Sequence, residues 1–505
     1  MDQREESDVL ESGPKMVPDL IKLDQIPDNF LQHVETDLLE TSTFQEATAT
    51  ANGYASFNLA QKGFLHSHSK ILVGLVPSAA GQMLPANIGI ASIIDRAVLK
   101  VRKSGQVIND ISDFGHFHAI KSCQISNETN REREQYMTGR IMNKEFKHFS
   151  NNGAATIYDN QRSLGYGLDN GRDYAQSAAG PALGIGQNGL VQPFSLMDTG
   201  AVAESPTYSI DISDLFLFMK TQSLPLYMID QGLTLELHWS PTLDRVLRAG
   251  GARAGITIDR NELKFVADYI TYVEDDAMNR YRDANPVIDM SFSDYRLSKN
   301  TRTQAEIQAG FVRQLGMNNR VVPRVITIIS NESDPGGVPA IDQSMLGKYN
   351  MISPVENTGV NAVPGTISYN VRYKSRFEFS QALVNKAQTF TQLVQSEGLP
   401  FVSREEYSGD QGGYLVGRSA VGALVVGGEA TFQGYAQDDT LGGQFFMLGT
   451  RLTNGRVGND GVELHLTAQM PDPTGGGGTE YIVRTYLEYV RRARLEDGEM
   501  QILNA

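Results

Sequence analysis

A chain of 505 residues, 40% of them hydrophobic, has material for two or three ordinary domains, and the absence of any apolar run near ~18 residues excludes a membrane-spanning helix. Net charge is −15, but residues 1–40 hold eleven acids and three bases, a net of −8, leaving −7 for the other 465; such a balanced bulk argues against sequence-wide or sequence-specific nucleic-acid binding. The acidic opening MDQREESDVLESG reads as neither a secretory signal nor a mitochondrial address, and a single cysteine, Cys123, cannot form an internal disulfide and fits a reducing compartment.

Residues 1–45 read as an arm, where Pro27 opens an expected amphipathic helix over 28–39 with Phe30, Leu31, Val34 and Leu38 on one side. Such a helix is marginal alone and should dock on something. From residue 54 the period becomes two: SFNLA alternates, KILVGLVP (70–77) is a continuous apolar strand, and RAVLKVRKSGQV (96–107) is strand, Ser104-Gly105 turn, strand. Residues 150–206 have little periodicity and many Gly, Asn and Asp, which marks a long functional or interfacial loop. YSIDISDLFLFMK (208–220) is a strand running into a short helix capped near Asp211 or Ser213. LTLELHW and ELKFVADYITYVEDD (262–276) follow as strands.

The second half replays this order. QAEIQAGFV (304–312) alternates like residues 54–60, RVITIIS (324–330) matches KILVGLV, and YNVRYKSRFEF (369–379) alternates again. SQALVNKAQTFTQLVQSEGLP (380–400) is the best helix by pattern, with stripe Leu383, Ala387, Phe390 and Val394, a Ser380 cap, and Gly398 and Pro400 to end it. GVELHL and EYIVRTYLEYVRRA (480–493) close the half as LTLELHW and ELKFVADYITYVEDD close the first. Shared order over low identity points to duplication of an all-β unit. Strands at this density bury one face each by folding into packed sheets, and each half suits an eight-stranded jelly roll. The expected fold class is all-β: two tandem eight-stranded jelly rolls with a few short helices and long loops. The expected divisions are an arm (1–45), a first jelly roll (46–278), a linker (279–288) near Asn285-Pro286, a second jelly roll (289–496) and a tail (497–505).

Two segments carry a resemblance. IASIIDRAVLKVRKSGQVINDISDFGHFHAI (90–120) and SIDISDLFLFMKTQSLPLYMIDQGLTLELHW (209–239) are similar to segments of double jelly-roll major capsid proteins, nearest those of virophages and polinton-like viruses, with large icosahedral DNA viruses more distant. The resemblance covers most of residues 45–495. It implies a virion protein without catalytic activity or cofactor: a homotrimer of pseudo-hexagonal outline, tiling an icosahedral shell around a DNA genome beside neighbouring capsomers, penton and minor capsid proteins. Loops 150–206, 331–368 and 402–444 would then form an outer crown or clasp a neighbour, and the arm would bridge capsomers.

Two alternatives stand beside this: a two-domain cupin-like metalloenzyme and a carbohydrate-binding β protein. His66-Ser67-His68 and His116-Phe117-His118, with His238 and His465, invite the metal reading, since i and i+2 share a strand face. The cupin spacing is absent: Gly63 stands too near His66, no acid follows His68 or His118 at the needed distance, and His116-Phe117-His118 lies in an expected helix. In the two Glu-Leu-His strands, Glu236 and His238 share one face against Leu235, Leu237 and Trp239; Glu463 and His465 share one against Val462, Leu464 and Leu466. A polar outer face over a buried apolar face explains both. GIGQNG (184–189) lacks the strand and helix of a dinucleotide loop, and TGGGGTE (474–480) lacks a phosphate-loop lysine. Glu274-Asp275-Asp276 reads as solvated acids, and Arg491, Arg492 and Arg494 as a local basic strip. A glycan site would need exposed aromatics, whereas Trp239 belongs to a core strand. No catalytic, cofactor-binding or metal residues are assigned.

Overall fold

The computed structural model describes residues 32–77, 88–122, 207–220, 223–242, 256–272, 275–330, 367–397, 446–453, 456–470 and 480–504, with a few isolated residues and pairs elsewhere. The three long loops lie almost wholly outside the described residues, as do Cys123 and GIGQNG.

The first half contributes β1 (Gln32–Glu40), β2 (Gly53–Asn58), β3 (Lys70–Pro77), β4 (Ile94–Val101), β5 (Val107–Ser112), β6 (Thr207–Asp211), β7 (Leu233–Trp239) and β8 (Ile256–Tyr272). The second contributes β9 (Val287–Thr303), β10 (Phe311–Gly316), β11 (Arg324–Ser330), β12 (Ile367–Tyr373), β13 (Arg376–Phe377), β14 (Met447–Arg451), β15 (Val462–Ala468) and β16 (Glu480–Glu496). All pair antiparallel, in orders β1-β8-β3-β6 and β2-β7-β4-β5, then β9-β16-β11-β14 and β10-β15-β12-β13. These two sets of eight share one order, position for position, and each forms the eight-stranded frame of a jelly roll; the short strands Thr43–Gln45, Phe64–Leu65 and Leu224–Pro225 extend the sheets of the first.

Alternation places the core between the sheets. On β7, Leu233, Leu235, Leu237 and Trp239 are buried, and Phe57 of β2 meets Phe265 of β8 across the sandwich at 6.0 Å. In the second roll Thr450 of β14 donates to the Tyr369 hydroxyl of β12 at 2.8 Å. Each fully buried Leu or Phe stabilises by about 1.5–3 kcal/mol relative to exposure.

Four segments depart from their sequence expectation. The arm helix over 28–39 is instead β1, which pairs with β8 from Gln32↔Tyr272 to Glu40↔Lys264. A continuous ladder outweighs a short helix with little to dock on; Leu39 packs on the core while Val34 and Leu38 stay exposed. Residues 304–309 form a helix, α4, not a strand. Its Thr303 hydroxyl accepts from Glu306 N while the Glu306 carboxylate accepts from Thr303 N, a capping box. The helix expected from Ser380 begins at Lys386 (α5, Lys386–Glu397), because Leu383 exchanges two backbone hydrogen bonds with Tyr369 and Asn385 Oδ1 accepts from Gln388 N. Its buried face is Thr389, Leu393 and Ser396 rather than the stripe through Ala387 and Val394. Beyond Asp497-Gly498, both at positive φ, residues 499–504 return as strand β17 along β16 instead of trailing off. Earlier in the chain, Phe114–Ser122 forms α1, Ile212–Leu215 α2, and Asp275–Ala284 α3, which leads into β9.

Candidate functional site at the seam between the jelly rolls

The two rolls share one continuous hydrophobic core, and a polar seam crosses it. From the first roll come β5, the Asp113 turn and α1; from the second come β9, β11 and β16. Asp113, at φ 53, follows β5 and starts α1. Its Oδ1 meets His116 Nδ1 at 2.5 Å and its Oδ2 accepts from Arg484 Nε at 2.6 Å. Arg484 is fully buried and also donates to Ser330. The Tyr486 hydroxyl donates to the Asp113 carbonyl at 3.0 Å, and Lys299 Nζ stands 3.8 Å from Oδ2. Burial alone would push the Asp113 carboxyl up; the charges of His116 and Arg484, with the His116 hydrogen bond, reverse this and hold it well below the ordinary carboxylate range.

A second cluster centres on Asp294 of β9. Its carboxylate accepts from Asn109 Nδ2 (3.1 Å), the Tyr489 hydroxyl (2.8 Å) and Arg491 Nη1 (2.9 Å). Here burial wins, raising the Asp294 carboxyl against the Tyr489 hydrogen bond and the Arg491 charge. Arg491 also donates to the carbonyls of Ile108 and Val107, each at 2.9 Å, so one guanidinium ties both rolls. Aromatic contacts fill the gaps: Phe117 lies 4.6 Å from Tyr295 and 5.5 Å from Tyr486, and Phe218 lies 5.1 Å from Phe292. Asp230 N donates to the Gly498 carbonyl at 2.9 Å.

The basic strip divides: Arg491 holds the seam, while Arg492 reaches Asp289 at 3.2 Å and Arg494 lies 3.1 Å from Glu496 in surface pairs. The two Glu-Leu-His segments occupy β7 and β15, equivalent strands of the two rolls. Glu236 lies under the Tyr54 hydroxyl (2.7 Å) and the Lys100 ammonium, with His238 5.2 Å from the Tyr54 ring. Glu463 meets Arg372 at 3.3 Å and His465 at 3.5 Å. Both are cross-strand clusters on an outer sheet face, although Glu236 is more buried than a solvated face predicts. His66 and His68 meet edge to face at 4.9 Å, and burial followed by the His68 charge lowers His66. His116 and His118 sit on α1, with His116 engaged by Asp113. Among the described residues no three His, Cys, Asp or Glu side chains converge as a metal cage, and no helix is long and apolar enough to cross a membrane.

Sequence reading did not single out Asp113, Asp294 or Arg484. The available signal was charge inside apolar strands, as in IVRTYLEYV and DMSFSDYRL.

These observations define the class: a double jelly roll whose halves are locked by a buried polar seam. No family model matches the sequence, and no curated protein does. Solved structures do match in fold. PBCV-1 VP54, fitted into a reconstruction of the virophage Sputnik, aligns at TM-score 0.53 and 11% identity over 95% of this chain and 98% of that chain. The PBCV-1 capsid aligns at 0.51 and 12% identity, over 95% and 98%. The mavirus major capsid protein aligns at 0.50 and 11% identity, over 95% and 91%. The chain thus shares its double jelly-roll fold, over 95% of its length, with viral capsid proteins.

Proposed function

We propose that this chain is the major capsid protein of an icosahedral DNA virus, a structural and non-enzymatic component of the virion. The observation that supports it most is the strand order repeated in the two halves, matched over 95% of the chain by solved capsid proteins. Three copies would set six jelly rolls around a threefold axis, giving a pseudo-hexagonal tile with ring-closing contacts. Contacts between tiles would be individually weak and collectively strong. Neighbouring capsomers, penton and minor capsid proteins are the partners this reading names. The two units would run from β1 through β8 and from β9 through β17, with α3 between them, and residues 1–31 would bridge to another capsomer.

Size-exclusion chromatography with light scattering and negative-stain microscopy test the reading. Three chains of 55.4 kDa give about 166 kDa; that mass, with six lobes in a hexagonal outline, is expected. A monodisperse monomer at assembly concentrations would count against it. Deleting residues 1–31, which spares β1, should leave trimers intact and impair particles; unaltered particles would remove the bridging role.

A further inference from the structure

Within one chain the two rolls meet by unlike surfaces. The first roll presents β5, the Asp113 turn and α1. The second presents the outer face of β9 and β16, where Tyr295, Arg484 and Tyr486 reach Phe117 and Asp113. Because the strand order repeats, each surface has a counterpart that this contact leaves unused. For β9 and β16 it is the outer face of β1 and β8, on the first roll; for β5 and α1 it is β13 and the segment leading into α5, on the second.

Exposed apolar side chains collect on these two counterparts. On β1, Val34 and Leu38 are 54% and 63% exposed. They stand opposite Ile270 and Val266 of β8, on the face turned away from Leu39 and the core. On β13, Phe377 is 47% exposed and lies 5.0 Å from the His465 ring; Val384, before α5, is 49% exposed. These are four of the eight large apolar side chains exposed among the described residues, whereas Phe117, Tyr295 and Tyr486 at the seam are all buried. Apolar patches of this kind mark contact surfaces, and here each patch sits on the surface whose duplicate already fits the duplicate of the other.

We propose that the outer face of β1 and β8 in one copy receives β13 and the approach to α5 of a second copy, repeating between chains the joint that each chain makes within itself. One surface belongs to the first roll and the other to the second, so the contact is head-to-tail. Three such contacts close a ring in which every roll meets the next by the same strand positions. The assignment rests on the trimeric capsid reading and says which surfaces close the trimer.

The test is light-scattering chromatography of the full chain with Leu38→Arg, which blocks one surface, Phe377→Arg, which blocks the other, and Leu503→Arg, exposed on β17 outside both, as control. Parent and control should run as trimers, and each blocked variant as a folded monomer at the same concentration. Mixed in equal amounts and concentrated, the two blocked variants should give heterodimers and nothing larger, since one intact pair of surfaces remains between them. Leu38→Ala and Phe377→Ala serve if the arginine variants do not fold, and should weaken the trimer at least about tenfold. A trimeric parent whose surface variants stay trimeric overturns the assignment, gives these faces to a different partner and spares the capsid reading. Monomeric variants that form no heterodimer refute the head-to-tail pairing. A parent that stays monomeric at assembly concentrations removes both readings.

Discussion

Arg484→Met tests whether the seam ion pair couples the two jelly rolls. Arg484 is fully buried, and its Nε lies 2.6 Å from Asp113 Oδ2. Removing one partner of a buried pair costs about 3–5 kcal/mol, mostly through the charge left behind. Asp113 would retain His116 at 2.5 Å and Lys299 at 3.8 Å, which puts the expected loss near the low end, about 3 kcal/mol. At roughly 2–4 °C per kcal/mol for units of this size, the melting temperature should fall by about 6–12 °C. Asp113→Asn should also destabilise, since its amide has one oxygen where His116 and Arg484 each hold a separate one, and it leaves Arg484 buried without a counter-charge. The double variant should lose less than the sum of the singles, by about 1–3 kcal/mol of coupling. Calorimetry at a fixed scan rate, with rescans to check reversibility, measures all four proteins. Additive losses within about 0.5 kcal/mol, or Arg484→Met melting within 2 °C of the parent, would refute a coupled seam.

Three further outcomes follow from local geometry. Gly53→Ala should lower the melting temperature, because a Cβ there would stand 2.5 Å from Ala47 N and 2.6 Å from Gln45 O, forcing main chains apart at a cost of about 1–3 kcal/mol; an unchanged melting temperature would disprove that close approach. Thr303→Ala removes the acceptor of the α4 capping box and should cost about 1 kcal/mol in denaturant unfolding, whereas Thr303→Ser should cost little. Acid should weaken the seam through Asp113. Its folded pKa lies below the unfolded value, so its contribution is complete above about pH 4 and is lost as pH falls through the folded pKa. Asp294 has the opposite sign: its folded pKa is raised, so its contribution is present at low pH and fades as pH rises through that value. Asp113→Asn should therefore flatten the acid limb of the stability profile and Asp294→Asn should leave it; a steep limb in Asp113→Asn assigns acid lability elsewhere.

The duplication was legible because sheet position constrains side-chain type. KILVGLV and RVITIIS became β3 and β11, and LTLELHW and GVELHL became β7 and β15, each pair holding the same place in its roll. Where several structures could satisfy one pattern, the wrong one was favoured. Val34 and Leu38 fit a helical stripe at i and i+4, yet they also share one face of a strand, and only the partner β8 decides between these. At 303–306 the decisive sign, Thr-Gln-Ala-Glu, was in the letters, but alternation through Ile307, Ala309 and Phe311 masked it. Asp497-Gly498 was an equally plain hairpin signal at the end of β16. The seam was the least legible part. Arg484 stands out in an apolar strand, but its partner lies 371 residues earlier, and no local rule links the two.

Why the seam is polar bears on how such a unit could tile. Two domains joined by one short segment ordinarily move relative to each other. A tile needs one fixed angle between its rolls, and an apolar joint alone tolerates sliding between similar packings. Buried ionic groups add little net stability but penalise every register that leaves them unpaired. Arg491 is the clearest case, with two nitrogens on the carbonyls of Val107 and Ile108 and one of these also on Asp294. A shift of β16 against β5 would strand both carbonyls, while Asp294, on β9 beside β16, would move with the guanidinium. Arg491→Met should therefore speed amide exchange along β5 and broaden the angular distribution of the two lobes in single-particle images, by more than its change in melting temperature suggests. If exchange in β5 and lobe geometry stay as in the parent while only stability falls, the guanidinium is a stabilising contact and the register is set by packing.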